Sequence, residues 1–325
     1  TMKRRVFLKQ ASTMAVALAI PRSGRAQADW PSKSIHIVVP VAPGGSIDML
    51  TRTLAKPLAI DLGQSIIVEN IAGGGGNIAF GQVARAKPDG YTLLMGWDAL
   101  LINPALYSVV PFQMNQYAPV TLAITSPQVL VVGPKLQVKS LKEFLDAARR
   151  LSGALSLANA GNGSPGHLAG ALLEAEANIK VTHVPYKGGG PAVADLLAGH
   201  VDALMVTLPA ALQHIKSGRL VALGMSSASR STAVPSVPTI AQAGVPGYEV
   251  NSWQGLFAPA GTTSDVIKKL HQSVTSALRE PTVKAQLEAQ GYEIVASTPE
   301  VLQQQLNVLI PKWAEIVKLS GAKPD

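Results

Sequence analysis

Apolar residues recur along the chain in two alternating rhythms. Short β-rich runs at 34–40 (SIHIVVP), 65–69 (SIIVE) and 92–95 are separated by stretches whose apolar residues fall three or four apart. The clearest such stretch is 48–60, where Leu50, Leu54 and Leu58 share one helical face. A second helix is predicted over 78–85. The short runs are continuous rather than alternating, which predicts strands covered on both faces, as in a parallel α/β sheet. The rhythm then restarts: strand 128–132, helix 141–151, strand 155–158, helix 167–177, strand 181–185, helix 191–198, and strands 203–206 and 220–225. Ser140 stands before the first of these helices with Glu143 three positions on, the spacing of a capping box. Three further helices are predicted over 265–279, 282–290 and 299–320. Two similar α/β blocks in one chain predict two lobes.

Composition narrows the functional classes. The 325 residues are 47% hydrophobic and 15% charged, enough apolar material for a sizeable core and too much for disorder. The absence of cysteine excludes a disulfide scaffold, a zinc ribbon, an iron–sulfur centre and a cysteine nucleophile together. The net charge of +8 suggests nucleic acid at first sight, but Lys3, Arg4, Arg5, Lys9, Arg22 and Arg25 supply six of those charges within residues 1–28, where no acid occurs. The remainder carries only +2, and no nucleic-acid partner is expected. Residues 1–28 instead have the form of an export signal: a basic start, an apolar run over 11–20 and a small-x-small site at Ala26-Gln27-Ala28. The Arg4-Arg5-x-Phe7-Leu8-Lys9 pattern resembles a twin-arginine signal, and a general secretory signal with two arginines fits as well. About ten apolar residues are too few to span a bilayer. The expectation is an exported protein, cleaved near Ala28.

Chemistry is concentrated in glycine loops between strands and helices. Four stand out: Pro40-Val41-Ala42-Pro43-Gly44-Gly45-Ser46-Ile47-Asp48, Gly73-Gly74-Gly75-Gly76-Asn77, Ala160-Gly161-Asn162-Gly163-Ser164-Pro165-Gly166-His167, and Pro185-Tyr186-Lys187-Gly188-Gly189-Gly190-Pro191. A helix N-terminus presents unpaired N–H groups and partial positive charge, and glycine admits a ligand close to that backbone. Such a junction binds a carboxylate or phosphate without a cationic side chain. It serves equally as a plain capped turn, and only the repetition across two blocks favours a ligand between lobes. Candidate contacts are therefore Ala42, Pro43, Gly44, Gly45, Ser46 and Asp48 in the first loop. Ala160, Gly161, Asn162, Gly163, Ser164 and His167 follow in the third, with Tyr186, Lys187, Gly188 and Gly189 in the fourth. His167 either orients its loop or packs, and Lys187 either lends charge or is solvated.

Enzymatic readings meet specific obstacles. Gly161–Gly166 formally fits GxGxxG, but a dinucleotide site needs an acid about 20 residues later, where Tyr186 and Lys187 stand instead. Ser164 is not in a GxSxG elbow, because Asn162 occupies the first glycine position. Pro165 also removes the N–H that would hold an oxyanion. No histidine spacing or carboxylate pair suggests a metal or glycosidase centre. No cofactor is called for.

Taken in order, these loops resemble the tripartite tricarboxylate transporter receptor family, the Bug or TctC-like periplasmic solute-binding proteins. The similarity rests on WPSKSIHIVVPVAPGGSIDMLTRTLAKPL, GQSIIVENIAGGGGNIAFGQVARAKPDGYTLLMG, INPALY, ANAGNGSPGHLAGALL, HVPYKGGGPAVADLLAGHVDALM, VPTIAQAGVPGYE and GLFAPAGT. The resemblance implies a two-lobed periplasmic-binding-protein fold of the Venus-flytrap type II kind, with crossing strands and a central cleft. It places lobe 1 at 29–128 plus 250–325 and lobe 2 at 129–249. It implies a periplasmic, monomeric, non-enzymatic protein that hands a small carboxylate to membrane permease subunits. The family's grip on the carboxylate maps to residues 40–48 and 161–164. Departures bear on the ligand: Ile47 stands where Thr is frequent, Ser46 and Gly189 where Gly and Ser are common. Trp97 and Asp98 replace small or hydroxyl residues: Trp97 either offers a stacking face or fills a lobe wall, and Asp98 either takes a hydroxyl or an ammonium or points away. Thr207, where Asp is often found, favours a ligand without an amino group. An aromatic or longer dicarboxylate fits these changes. An exported enzyme for a small carboxylated or phosphorylated substrate and a ligand sensor remain the alternative readings.

Overall fold

A computed structural model of the chain describes residues 30–324. The export signal therefore lies outside the described residues. The first block builds β1 (Ile35–Val39), α1 (Ser46–Leu62), β2 (Ile66–Asn70), α2 (Asn77–Ala84), β3 (Thr92–Trp97) and α3 (Ala99–Leu106). β1 lies between β2 and β3, parallel to both. Its Ile35, Ile37, Val38 and Val39 are buried, as a strand covered on both faces requires. α1 buries Ile47, Leu50, Leu54, Leu58 and Leu62 against this sheet and ends at Gly63, whose φ of 66° is the left-handed stop.

The second block follows β4 (Tyr117–Val132). It comprises α4 (Leu141–Leu151), β5 (Ser156–Asn159), α5 (Pro165–Ala177), β6 (Thr182–Pro185), α6 (Gly189–Ala198), β7 (Ala203–Thr207), α7 (Leu208–Lys216) and β8 (Val221–Met225). Ser140 caps α4 by accepting from the Glu143 amide at 3.2 Å. The Glu143 carboxylate reaches one residue past the cap, to the Lys139 amide at 2.7 Å. β9 (Asn251–Pro259) returns to the first block, and α8 (Ser264–Arg279), α9 (Pro281–Ala289), β10 (Glu293–Ile294) and α10 (Pro299–Ser320) complete the chain.

The strand order is β2-β1-β3-β9-β4-β7-β5-β6, with β8 and β10 also pairing β4. The outer trios are parallel and the centre is antiparallel. β4 and β9 thus cross between two parallel α/β halves. β4 pairs β9 from Tyr117 to Pro127, then pairs β7 from Gln128 onward. The expectation that every strand is covered on both faces fails at the edges, where β2 and β6 are only partly buried. Among the described residues, no helix is long and apolar enough to cross a membrane.

Candidate functional site

A cavity of about 570 Å³ opens where the halves meet. Its floor comes from the crossing strands. Strand periodicity of two puts Ile124, Ser126 and Gln128 of β4 on one face, beside Ser252 and Gln254 of β9. The walls are largely apolar, including Ile47, Met49, Val206, Pro209 and Leu212. Among the described residues, no lysine, arginine or histidine lines the cavity, and Asp98 is its one carboxylate.

Five helices begin at this cavity. Their N-cap residues are Gly45 for α1, Asp98 for α3, Ser164 for α5, Gly188 for α6 and Thr207 for α7, and all five line it. Each helix directs the positive end of its dipole inward. The ends differ in what they leave open. α1 has no side-chain cap, so the amides of Ser46 and Ile47 lack both a cap and a carbonyl one turn earlier. α5 is mostly closed: Ser164 Oγ accepts from the His167 amide at 3.2 Å and Pro165 at the first helical position has no N–H, which leaves the amide of Gly166, on the cavity wall, open. α6 is open at Gly189 and Gly190.

The first loop is fastened from behind by Asp48. This buried carboxylate accepts from the Gly44 amide at 2.8 Å, Arg52 Nε at 2.9 Å and Asn70 Nδ2 at 2.9 Å. Burial works against its charge, but these hydrogen bonds prevail and hold its carboxyl below the ordinary range. Gly44 adopts φ 89°, open only to a residue without a side-chain penalty. On the cavity side, Gln254 Nε2 donates to Ser46 Oγ at 3.2 Å, joining floor to loop.

Asp98 has the opposite environment. It is 1% exposed, and burial pushes its carboxyl up to about 8, despite hydrogen bonds from Ser252 and from backbone amides including that of Trp253. Ser252 Oγ in turn accepts from Gln128 Nε2 at 2.8 Å.

Of the residues expected from sequence, Gly44, Gly45, Ser46, Trp97, Asp98, Ala160, Ser164, Gly188, Gly189 and Thr207 line the cavity. The others lie behind or outside the wall. Ala42, Pro43, Asn162 and Lys187 are exposed. Asp48 ties the first loop. His167 Nδ1 accepts from the Gly163 amide at 3.1 Å, tying the third. Gly161 turns at φ 132° before it, and a Cβ on Gly163 would stand 2.4 Å from Leu106 Cδ2. The Tyr186 hydroxyl donates to Asp195 at 2.7 Å, tying the fourth loop to the body of α6. The loop 73–77 does not line the cavity; Asn103 Nδ2 donates to the Gly75 carbonyl and fixes it against α3. Sequence reasoning missed Ser126, Gln128, Ser252 and Gln254. Their signal was polar residues at alternate positions within otherwise apolar runs. Among the described residues, no group of three or more acids and histidines could hold a metal ion.

An interlobe cavity ringed by helix N-termini defines a solute-binding protein of the two-lobed periplasmic class. The family model of the tripartite tricarboxylate transporter family receptor matches residues 50–321. The chain belongs to that family and is a solute-binding protein, not an enzyme. The protein BugT of Bordetella pertussis is 37% identical over 297 residues, covering 90% of this chain and 91% of BugT. Rpa4515 of R. palustris, solved with adipate, superposes with a TM-score of 0.83 at 32% identity, over 91% of this chain and all of that one. MatC of Rhodopseudomonas palustris, solved with malate, gives 0.78 at 33% identity, over 88% and 99%.

Proposed function

We propose that this protein captures a small dicarboxylate in the interlobe cavity, in the periplasm, and delivers it to a tripartite tricarboxylate-type permease. The observation that carries the reading is that, among the described residues, five helix N-termini surround a cavity lined by no cationic side chain. Oriented peptide dipoles and free amides neutralise an anion there without a salt bridge. The open amides of Ser46 and Ile47 take one carboxylate, and the backbone of Gly188 and Gly189 closes on it from the second lobe. The apolar walls and the face of Trp97 accommodate a carbon chain or ring. Adipate and malate in two relatives support this ligand class.

Lobe 1 comprises residues 29–128 plus 250–325, and lobe 2 residues 129–249. The change of partner along β4 at Gln128 supports that division. Closure of the lobes excludes water and strengthens the hydrogen bonds to the anion. Calorimetry at pH 6.5 with adipate, malate, succinate, citrate and benzoate tests the reading. Micromolar binding of at least one dicarboxylate is expected, and failure of every acid to bind contradicts it. Delivery is tested by uptake of the bound acid in cells carrying the permease subunits with and without this protein. Equal uptake in both would rule it out.

A further inference from the structure

The cavity floor contains polar groups that the protein itself leaves unmatched. Trp97 Nε1, Asp98 Oδ1, Ser126 Oγ and Gln254 Oε1 are buried without a hydrogen-bond partner. All four residues line the cavity. They form one patch: Trp97 stands opposite Gln254 across β3 and β9, and Ser126 opposite Ser252, which hydrogen-bonds Asp98. A buried unmatched polar group is destabilising, so a patch of four is a place for groups that arrive with a ligand.

The charge on Asp98 decides which groups those are. No cation faces it. β3, α3 and β9 contain no ionisable residue, and β4 contains only Tyr117, whose hydroxyl donates to the Phe80 carbonyl. On α1, Asp48 and Arg52 pair with each other behind the first loop. On α5, His167 is held by the Gly163 amide and does not line the cavity. Among the described residues, Tyr292 is the one other ionisable side chain on the wall; burial raises its hydroxyl to about 12, and it donates to the Ser46 carbonyl at 3.5 Å. A carboxylate so placed would lose hydration and gain only the end of the α3 dipole and hydrogen bonds from Ser252 and backbone amides, with no side-chain counter-charge, and burial outweighs them.

We propose, resting on the capture reading above, that Asp98 meets the solute as a neutral carboxylic acid. It donates its proton to an oxygen acceptor at the solute's far end, beside the Trp97 N–H. Two donors on neighbouring residues of one wall suit a second carboxylate or a hydroxyl oxygen. An ammonium offers these two donors no acceptor; with Asp98 neutral it would find only uncharged acceptors such as Gln254 Oε1. The cavity therefore selects dicarboxylates and hydroxy acids over amino acids, and each bound dicarboxylate shares one proton with the protein.

The test is calorimetry of adipate and of aspartate from pH 6 to 9.5, on the wild type and Asp98→Asn. Adipate affinity is expected to fall about tenfold per pH unit above about 8, because binding needs the protonated form. Asp98→Asn, which keeps a donor and cannot ionise, is expected to bind adipate equally at pH 6.5 and 9.5. Aspartate is expected to bind at least tenfold more weakly than adipate at pH 6.5. A pH-independent wild type, or affinity that rises with pH, or preference for aspartate, overturns the proposal. Carbon-13 titration of the Asp98 carboxyl in ligand-free protein separates this idea from the capture reading. A neutral carboxyl at pH 6.5 supports the assignment even if no acid binds, and an ionised one there refutes it.

Discussion

The loops before α1 and α5 read alike in sequence, as glycine-rich turns with a serine at the helix start, yet they do different work. In the first, Ser46 lies inside the helix and Gly45 is the cap, so the leading amides stay open. In the third, Ser164 is itself the cap and Pro165 occupies the first helical position, so of the leading amides only that of Gly166 stays open. One position of offset between serine and helix start separates an end whose leading amides are open from one that its own side chains largely fill. The loop at 73–77 shows a third outcome, in which neighbouring side chains fix the glycines and no cavity contact remains.

That contrast can be broken from either side. Ser46→Pro imposes on α1 the blocked first position of α5. Gly45, at φ −73° and ψ 164°, already has the extended backbone that a following proline demands. Losing one N–H to a bound carboxylate costs about 1.5–3 kcal/mol, so calorimetry should show a roughly 10- to 100-fold weaker affinity with the helix intact by circular dichroism. Ser46→Ala, which retains the amide, should change affinity by less than about fivefold. Asp48→Ala removes the shared acceptor of Gly44, Arg52 and Asn70. Urea unfolding should show a loss of about 2 kcal/mol, with weaker binding because the first loop is no longer held. Ser164→Ala uncaps α5 and should cost about 1 kcal/mol of stability. Its effect on affinity should be smaller than that of Ser46→Pro. An equal or larger effect would mean that the serine hydroxyl, not the α1 amides, holds the ligand.

Much of this architecture was legible because the parallel halves are built from periodic, locally consistent segments. The α1 stripe of Leu50, Leu54 and Leu58 and the capping pair Ser140 and Glu143 announce their helices. The crossing strands were harder to read. Pro119 and Pro127 punctuate β4, and Gly255 interrupts β9, so tertiary pairing rather than propensity makes these segments strands. α3 carries Pro104 and α7 begins Leu208-Pro209, so neither shows a clean helical pattern. The same reasoning explains the site. Loop residues were identifiable from glycine and capping chemistry, but the floor residues belong to strands whose partners lie about 80 to 160 positions away. Asp98 was visible as a candidate. Its burial was not, because β9, which supplies Ser252 and Trp253, approaches it from 150 residues downstream.

The central claim is that the uncapped end of α1 holds the anion. A crystal structure of the protein with its best-bound dicarboxylate tests this most directly. A carboxylate oxygen within about 3 Å of the Ser46 or Ile47 amide nitrogen is the expected result. A carboxylate seated instead on side-chain cations, or at a site that leaves both amides facing water, would contradict the account.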